Sequence, residues 1–163
     1  MNNPEFLRAL LQQERPLFVK VVGAVVERGL DHRPDPKSRS VRELLSHIIG
    51  HGFDLAELAE DGVVHHRNQM PFDSLADAAK LMDESFAAAI EKLGATDVTR
   101  WGETADFFVG DQRVIQAPRQ QVAWILFLDA IHHRGQLTTH LRAIGGKVPS
   151  LYGPSADEPP PAH

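Results

Sequence analysis

Asp129 and His133 stand four residues apart in VAWILFLDAIHHRGQLTTHLRAIGGKVPSLYGP, residues 122–154. In a helix that spacing stacks a carboxylate and an imidazole one turn apart on one face. His47 and His51 repeat the spacing in LLSHIIGHG. Both side-chain types offer lone pairs to a divalent cation. If the two helices pack side by side, His47 or His51 can meet Asp129 and His133. Two histidines and one carboxylate make a three-ligand set that leaves positions for water or substrate, the pattern of a catalytic metal. The blander reading is that a buried histidine is a satisfied core residue and that Asp129 pairs with Arg134 or an exposed lysine. Several buried polar groups with no shared purpose would each cost stability, which favours a common role.

The neighbours carry weaker signals. Gln136 and His140 continue the polar line, either orienting ligands or lining a groove. His132 points about a quarter turn from His133, so it reads as a supporting, interfacial or solvated group. Arg134 faces elsewhere and reads as a surface or interface charge. Gly135 costs about 1 kcal/mol against alanine inside a helix; close packing, room for a ligand or simple tolerance would account for it. His32, His65, His66 and His163 fall in connectors or the tail and read as solvated. Trp101, Trp124 and Tyr152 read as packing residues.

Four elements must position these residues. Apolar positions at helical spacing predict a first helix from about Pro4 to Arg28, with a kink or break at Pro16. The S-x-x-E box at Ser40–Glu43 opens a second helix, to about Glu60, with Asp61-Gly62 ending it. A third runs from about Leu75 to Leu93. The stretch Ala95–Ala117 is irregular, with a possible small hairpin at Gly110-Asp111. Pro118 opens the fourth helix, which ends near Ile144 before Gly145-Gly146. The expected fold is all-α: an antiparallel four-helix bundle with an irregular connection before the fourth helix. Residues 1–155 form this bundle, and 156–163 are expected to be disordered.

The 163 residues are enough for one ordinary domain with a real core. A formal charge of −5 and the absence of any basic run argue against phosphate-driven nucleic-acid binding. The chain contains no cysteine, which excludes disulfides, thiolate metal sites and a cysteine nucleophile. That composition fits a cytoplasmic protein. No signal peptide and no membrane-spanning apolar run is visible. P-loop, Rossmann, nucleophile-elbow and H-E-x-x-H patterns are missing.

LLSHIIGHG, followed by DAIHHRGQLTTHLRAIGGKVPSLYGPS, resembles the DinB-like family of four-helix, metal-binding proteins, which is unrelated to the translesion polymerase of similar name. The likeness extends over nearly the whole chain in helix pattern. It is most specific at the second-helix histidine and the HHRGQL…LR…G…VP…YGP segment. It implies an antiparallel bundle, commonly dimeric, holding nickel, zinc or iron. Family ligands are usually one histidine on the second helix and an H-x-x-x-H pair on the fourth. By position, His47 matches the first and His133 the last, while Asp129 stands where the pair's first histidine would be. His51 is not required by the family pattern and is the best candidate for a general base. Characterised relatives include thiol S-transferases and a mycothiol-dependent isomerase. The expected function is therefore metal-dependent attack of water or a low-molecular-weight thiol on a small electrophile, by a homodimer. The alternative is a non-catalytic, metal-binding dimeric module of the stress response.

Overall fold

The computed structural model describes residues 3–160. Its helices are α1 (Pro4–Gly23), α2 (Val41–Asp61), α3 (Leu75–Gly94), a short α4 (Val98–Gly102) and α5 (Arg119–Leu141). Strands β1 (Val63–His65), β2 (Thr104–Val109) and β3 (Gln112–Pro118) form one small sheet. The expected all-α fold is thus amended: four long helices are present, accompanied by a three-stranded sheet. The hairpin at Gly110-Asp111 is real, with Gly110 at φ 58°. The partner strand β1 is only three residues long, too short for an alternating pattern, and it pairs parallel to β2 across a long sequence separation.

The helix starts follow local chemistry. Asn3 accepts the Glu5 N–H at 2.9 Å, and Pro4 fills a first-turn position where no intrahelical N–H bond is needed. Ser40 and Glu43 cap α2 reciprocally. Ser74 accepts the Asp77 N–H to start α3. Pro16 does not break α1, contrary to expectation. Pro16 and Gln12 are both exposed, so the carbonyl that Pro16 cannot bond lies on the solvent side. α1 instead stops at Gly23, and residues Glu27–Gly29 form a separate 3-10 turn. α5 ends at Leu141, and its last turn tightens to 3-10 through Ile144 before Gly145, at φ 86°.

α2 packs on α3 and α5, and α1 on α3 and less extensively on α5. Leu44, Leu45, Ile48, Leu55 and Leu58 of α2 are almost wholly buried in the core between them. Phe18 and Phe86 stack at 4.3 Å, joining α1 to α3.

One buried cation sets how α2 and α5 meet. Arg119, 5% exposed, donates to the Leu58 and Ala59 carbonyls at 3.3 and 3.1 Å and to the Asp61 carbonyl at 3.4 Å. It therefore caps the C-terminal end of α2 from the first residue of α5. Glu103 balances its charge at 3.3 Å. Moving away from this clamp, about ten residues along each helix brings His47 and His51 level with Asp129 and His133, so the two helices run in opposite directions.

Arg134 is not a surface charge. It is 2% exposed, pairs with Glu14 at 2.7 Å and lies over the Phe18 ring at 4.4 Å. Tyr152 donates its hydroxyl to Glu14 at 2.8 Å and also bonds Arg134. This group ties α1, α5 and the C-terminal segment together. Within the segment expected to be disordered, Asp157 accepts the Val148 N–H at 2.8 Å and Glu158 pairs with Lys20 at 2.6 Å. Residues 161–163, including His163, lie outside the described residues.

Candidate metal centre

α2 presents His47 and His51 on the face that meets Asp129 and His133 of α5. All three imidazole Nε2 atoms converge on one oxygen, Asp129 Oδ2: His51 at 2.8 Å, His133 at 3.2 Å and His47 at 3.4 Å. One donor atom from each of the four residues lies within 4.8 Å of every other. The expected trio is thus brought together, and His51 stands inside the same cluster.

The electrostatics leave lone pairs available. Burial, aided by the nearby charges of His51 and Arg39, pushes the His47 imidazole down to about 3. Burial also lowers His133. The His51 hydrogen bond holds the Asp129 carboxyl well below the usual carboxylate range. His133 Nδ1 donates to Gln136 Oε1 at 2.8 Å, while the Gln136 amide nitrogen meets His132 Nε2 at 2.9 Å. With Nδ1 protonated, the neutral His133 ring turns an Nε2 lone pair toward a carboxylate oxygen. Both atoms would be donors to a divalent cation held there, which would relieve the repulsion. The Nδ1 atoms of His47 and His51 are buried without a hydrogen-bond partner among the described residues. The donor set, three imidazoles and a carboxylate, suits zinc, nickel or iron.

A buried carboxylate stands behind the cluster. Asp54, fully buried, lies 3.8 Å from His51 Nδ1 and accepts His66 Nδ1 at 2.7 Å. It also accepts the Arg67 backbone N–H at 3.2 Å and the Arg67 guanidinium at 3.1 Å. His51, Asp54 and His66 form a second cluster of potential donors. Asp54 carries no role among the sequence expectations, and His66, expected to be solvated, has a side chain only 9% exposed. Asp54 continues the 47–51 line one further turn, a polar residue on a buried face, which was a legible signal. His66 carried none, because its burial depends on the sheet: its N–H bonds the Phe108 carbonyl at 2.9 Å. His65, by contrast, is exposed as expected.

The cluster forms one wall of a cavity of about 490 Å³. Phe107, Ile115 and Leu126 give it apolar sides, and His66 and Arg39 line it. A second cavity, of about 430 Å³, is lined by Arg39, Lys37, Gln136, Thr139, His140 and the same His133. Gln136 therefore supports a candidate ligand directly, and His140 lines the groove. Gly135 faces open space, with nothing within 4 Å of a Cβ placed there, so close packing does not account for it. Trp101 is buried in the core, and Trp124 meets Phe127 at 5.8 Å, both as packing residues.

A four-helix frame with a His/Asp cluster between its second and last long helices defines a class of candidate metalloproteins. The chain belongs to the DinB family, whose profile matches residues 1–161. Its fold is similar to the crystal structure of a DinB-like protein from Bacillus subtilis, with a TM-score of 0.70 at 15% identity, covering 90% of this chain and 97% of that one. It is equally similar to a DinB-like protein from Bacillus cereus, with a TM-score of 0.71 at 20% identity, covering 90% and 95%. A search of curated proteins found no match. Among the described residues, no helix is long and apolar enough to cross a membrane.

Proposed function

We propose that the chain is a divalent-metal-dependent enzyme in which water or a small thiol attacks an electrophilic substrate. The observation that carries this reading is the convergence of three imidazole nitrogens on one carboxylate oxygen beside a cavity of substrate size. His47, Asp129 and His133 hold the cation, and His51 is assigned as a fourth donor. A divalent cation in that position supplies Lewis acidity, lowering the pKa of a water or thiol ligand toward neutrality. Gln136 fixes the His133 tautomer, and the Asp54 carboxylate lies 3.8 Å from His51 Nδ1, too far for a hydrogen bond but close enough to bias the ring electrostatically. Phe107, Ile115 and Leu126 exclude water from the substrate body. With His51 in the donor set, the general base is reassigned to His66. Asp54 holds its Nδ1–H, which leaves Nε2 as the proton acceptor in the same cavity.

Protein purified without a histidine tag and exposed to nickel, zinc and iron is expected to hold one equivalent of one of them. Asp129→Ala and His133→Ala are expected to lose it, together with turnover in a thiol-transfer or hydrolysis assay. Wild-type protein that holds no metal overturns the reading. Metal that raises the melting temperature with no turnover on any electrophile reassigns the site to a binding module.

A further inference from the structure

Arg39 carries a charge that no contact within the donor cluster uses. It precedes the α2 cap residue Ser40 and lines both cavities that meet at His133. Its Nη1 is buried with no hydrogen-bond partner among the described residues. A guanidinium nitrogen in that state has lost water and gained nothing in return. The acids nearby are committed elsewhere. Glu43 shares a shallow pocket with Arg39 but is bound by Arg33 at 2.6 and 2.7 Å and by the Ser40 N–H at 2.8 Å. Asp129 is held by the three imidazoles. The second cavity adds Lys37 and has no carboxylate in its lining. Arg39 lines the same cavity as His47, His51, Asp129 and His133, so it sits close to the donor cluster.

We propose that Arg39 is the anion anchor of this site and that the substrate class is a small molecule carrying a carboxylate. The carboxylate sits on the Arg39 fork, the apolar body lies against Phe107 and Ile115, and the reacting end reaches the donor cluster. A planar guanidinium matches a carboxylate with two parallel hydrogen bonds, which neither a histidine nor a lysine reproduces. This rests on the cavity being the substrate site of the proposed enzyme, and it does not depend on which cation is bound.

The test uses the full chain, stripped with chelator so that no metal can bind the anion instead. Succinate, inorganic phosphate and uncharged succinamide are titrated in turn and followed by amide chemical shifts. Succinate is expected to bind saturably and to shift Phe107, His133 and Gln136, whereas succinamide does not bind. Arg39→Gln is expected to weaken succinate by about tenfold or more, with Arg39→Lys falling between it and wild type. Arg39→Gln is expected to keep the wild-type amide spectrum outside the two cavities and the wild-type melting temperature within a few degrees, which shows that the variant folds. Nickel and zinc binding to wild type is measured separately, which separates the two readings. Succinate binding that is absent, or equal in wild type and Arg39→Gln, overturns the anchor even if metal binds. Phosphate binding more tightly than succinate overturns the carboxylate assignment. If no metal binds wild type but succinate still depends on Arg39, the anchor stands and the metal reading falls.

Discussion

The neutrality of His47 is maintained by burial, and that has a consequence for stability. Its pKa falls from 6.5 to about 3 on folding. Between those values the unfolded chain takes up a proton that the folded chain refuses, so acidification favours unfolding. The contribution is fully present above 6.5 and lost as pH falls toward 3. Metal-free protein is therefore expected to lose stability, on the order of a few kcal/mol, between neutral pH and pH 4, and His47→Gln to flatten that slope. Urea melts across the range check this; equal slopes in the two proteins would refute it. At this scale the spacing of Asp129 and His133, and of His47 and His51, was readable because both pairs lie within single helices. Arg134 was misread because its partners, Glu14 and Tyr152, come from distant segments. Asp54 was overlooked although it sits on the same helical line as His51.

α2 is where local packing and the site are most tightly joined. Gly50 lies one residue before His51, and a Cβ there would stand 2.1 Å from the Arg67 backbone carbonyl. That close approach lets residues 66 and 67 reach Asp54. Gly50→Ala is expected to cost about 1–3 kcal/mol by forcing this loop outward. Gly135→Ala, which meets nothing, is expected to gain about 1 kcal/mol. Chemical denaturation of the two variants side by side tests both signs. The long helices were legible from their periodicity, joined in α2 by the Ser40–Glu43 box and Gly62 within the same segment. β1 was not, since three residues carry no period, and its pairing with β2 is decided only when the chain has folded. The run of α1 through Pro16 turned on exposure, which spacing alone does not reveal.

At the scale of the molecule, α5 carries apolar residues outside its core-facing stripe. Leu128 is 58% exposed, and Phe6 of α1, 54% exposed, lies beside Trp124 with ring centroids 6.1 Å apart. We propose that a second copy of the chain covers this face. Sedimentation at tens of micromolar is expected to show twice the 18.1 kDa chain mass, and Leu128→Glu to return it to one chain. A wild-type protein sedimenting only at 18.1 kDa would refute the dimer.

The Arg119 clamp reaches further than its own contacts. It fastens the two ligand-bearing helices at one end, roughly 15–20 Å from the donor atoms. At that radius a tilt of about 5° swings the far side chains by more than an ångström, several times the ~0.2 Å tolerance of a coordination bond. The clamp is thus the fulcrum of a pair of levers. The coordination geometry open to any ion in the grip would be set partly by a guanidinium that never meets it.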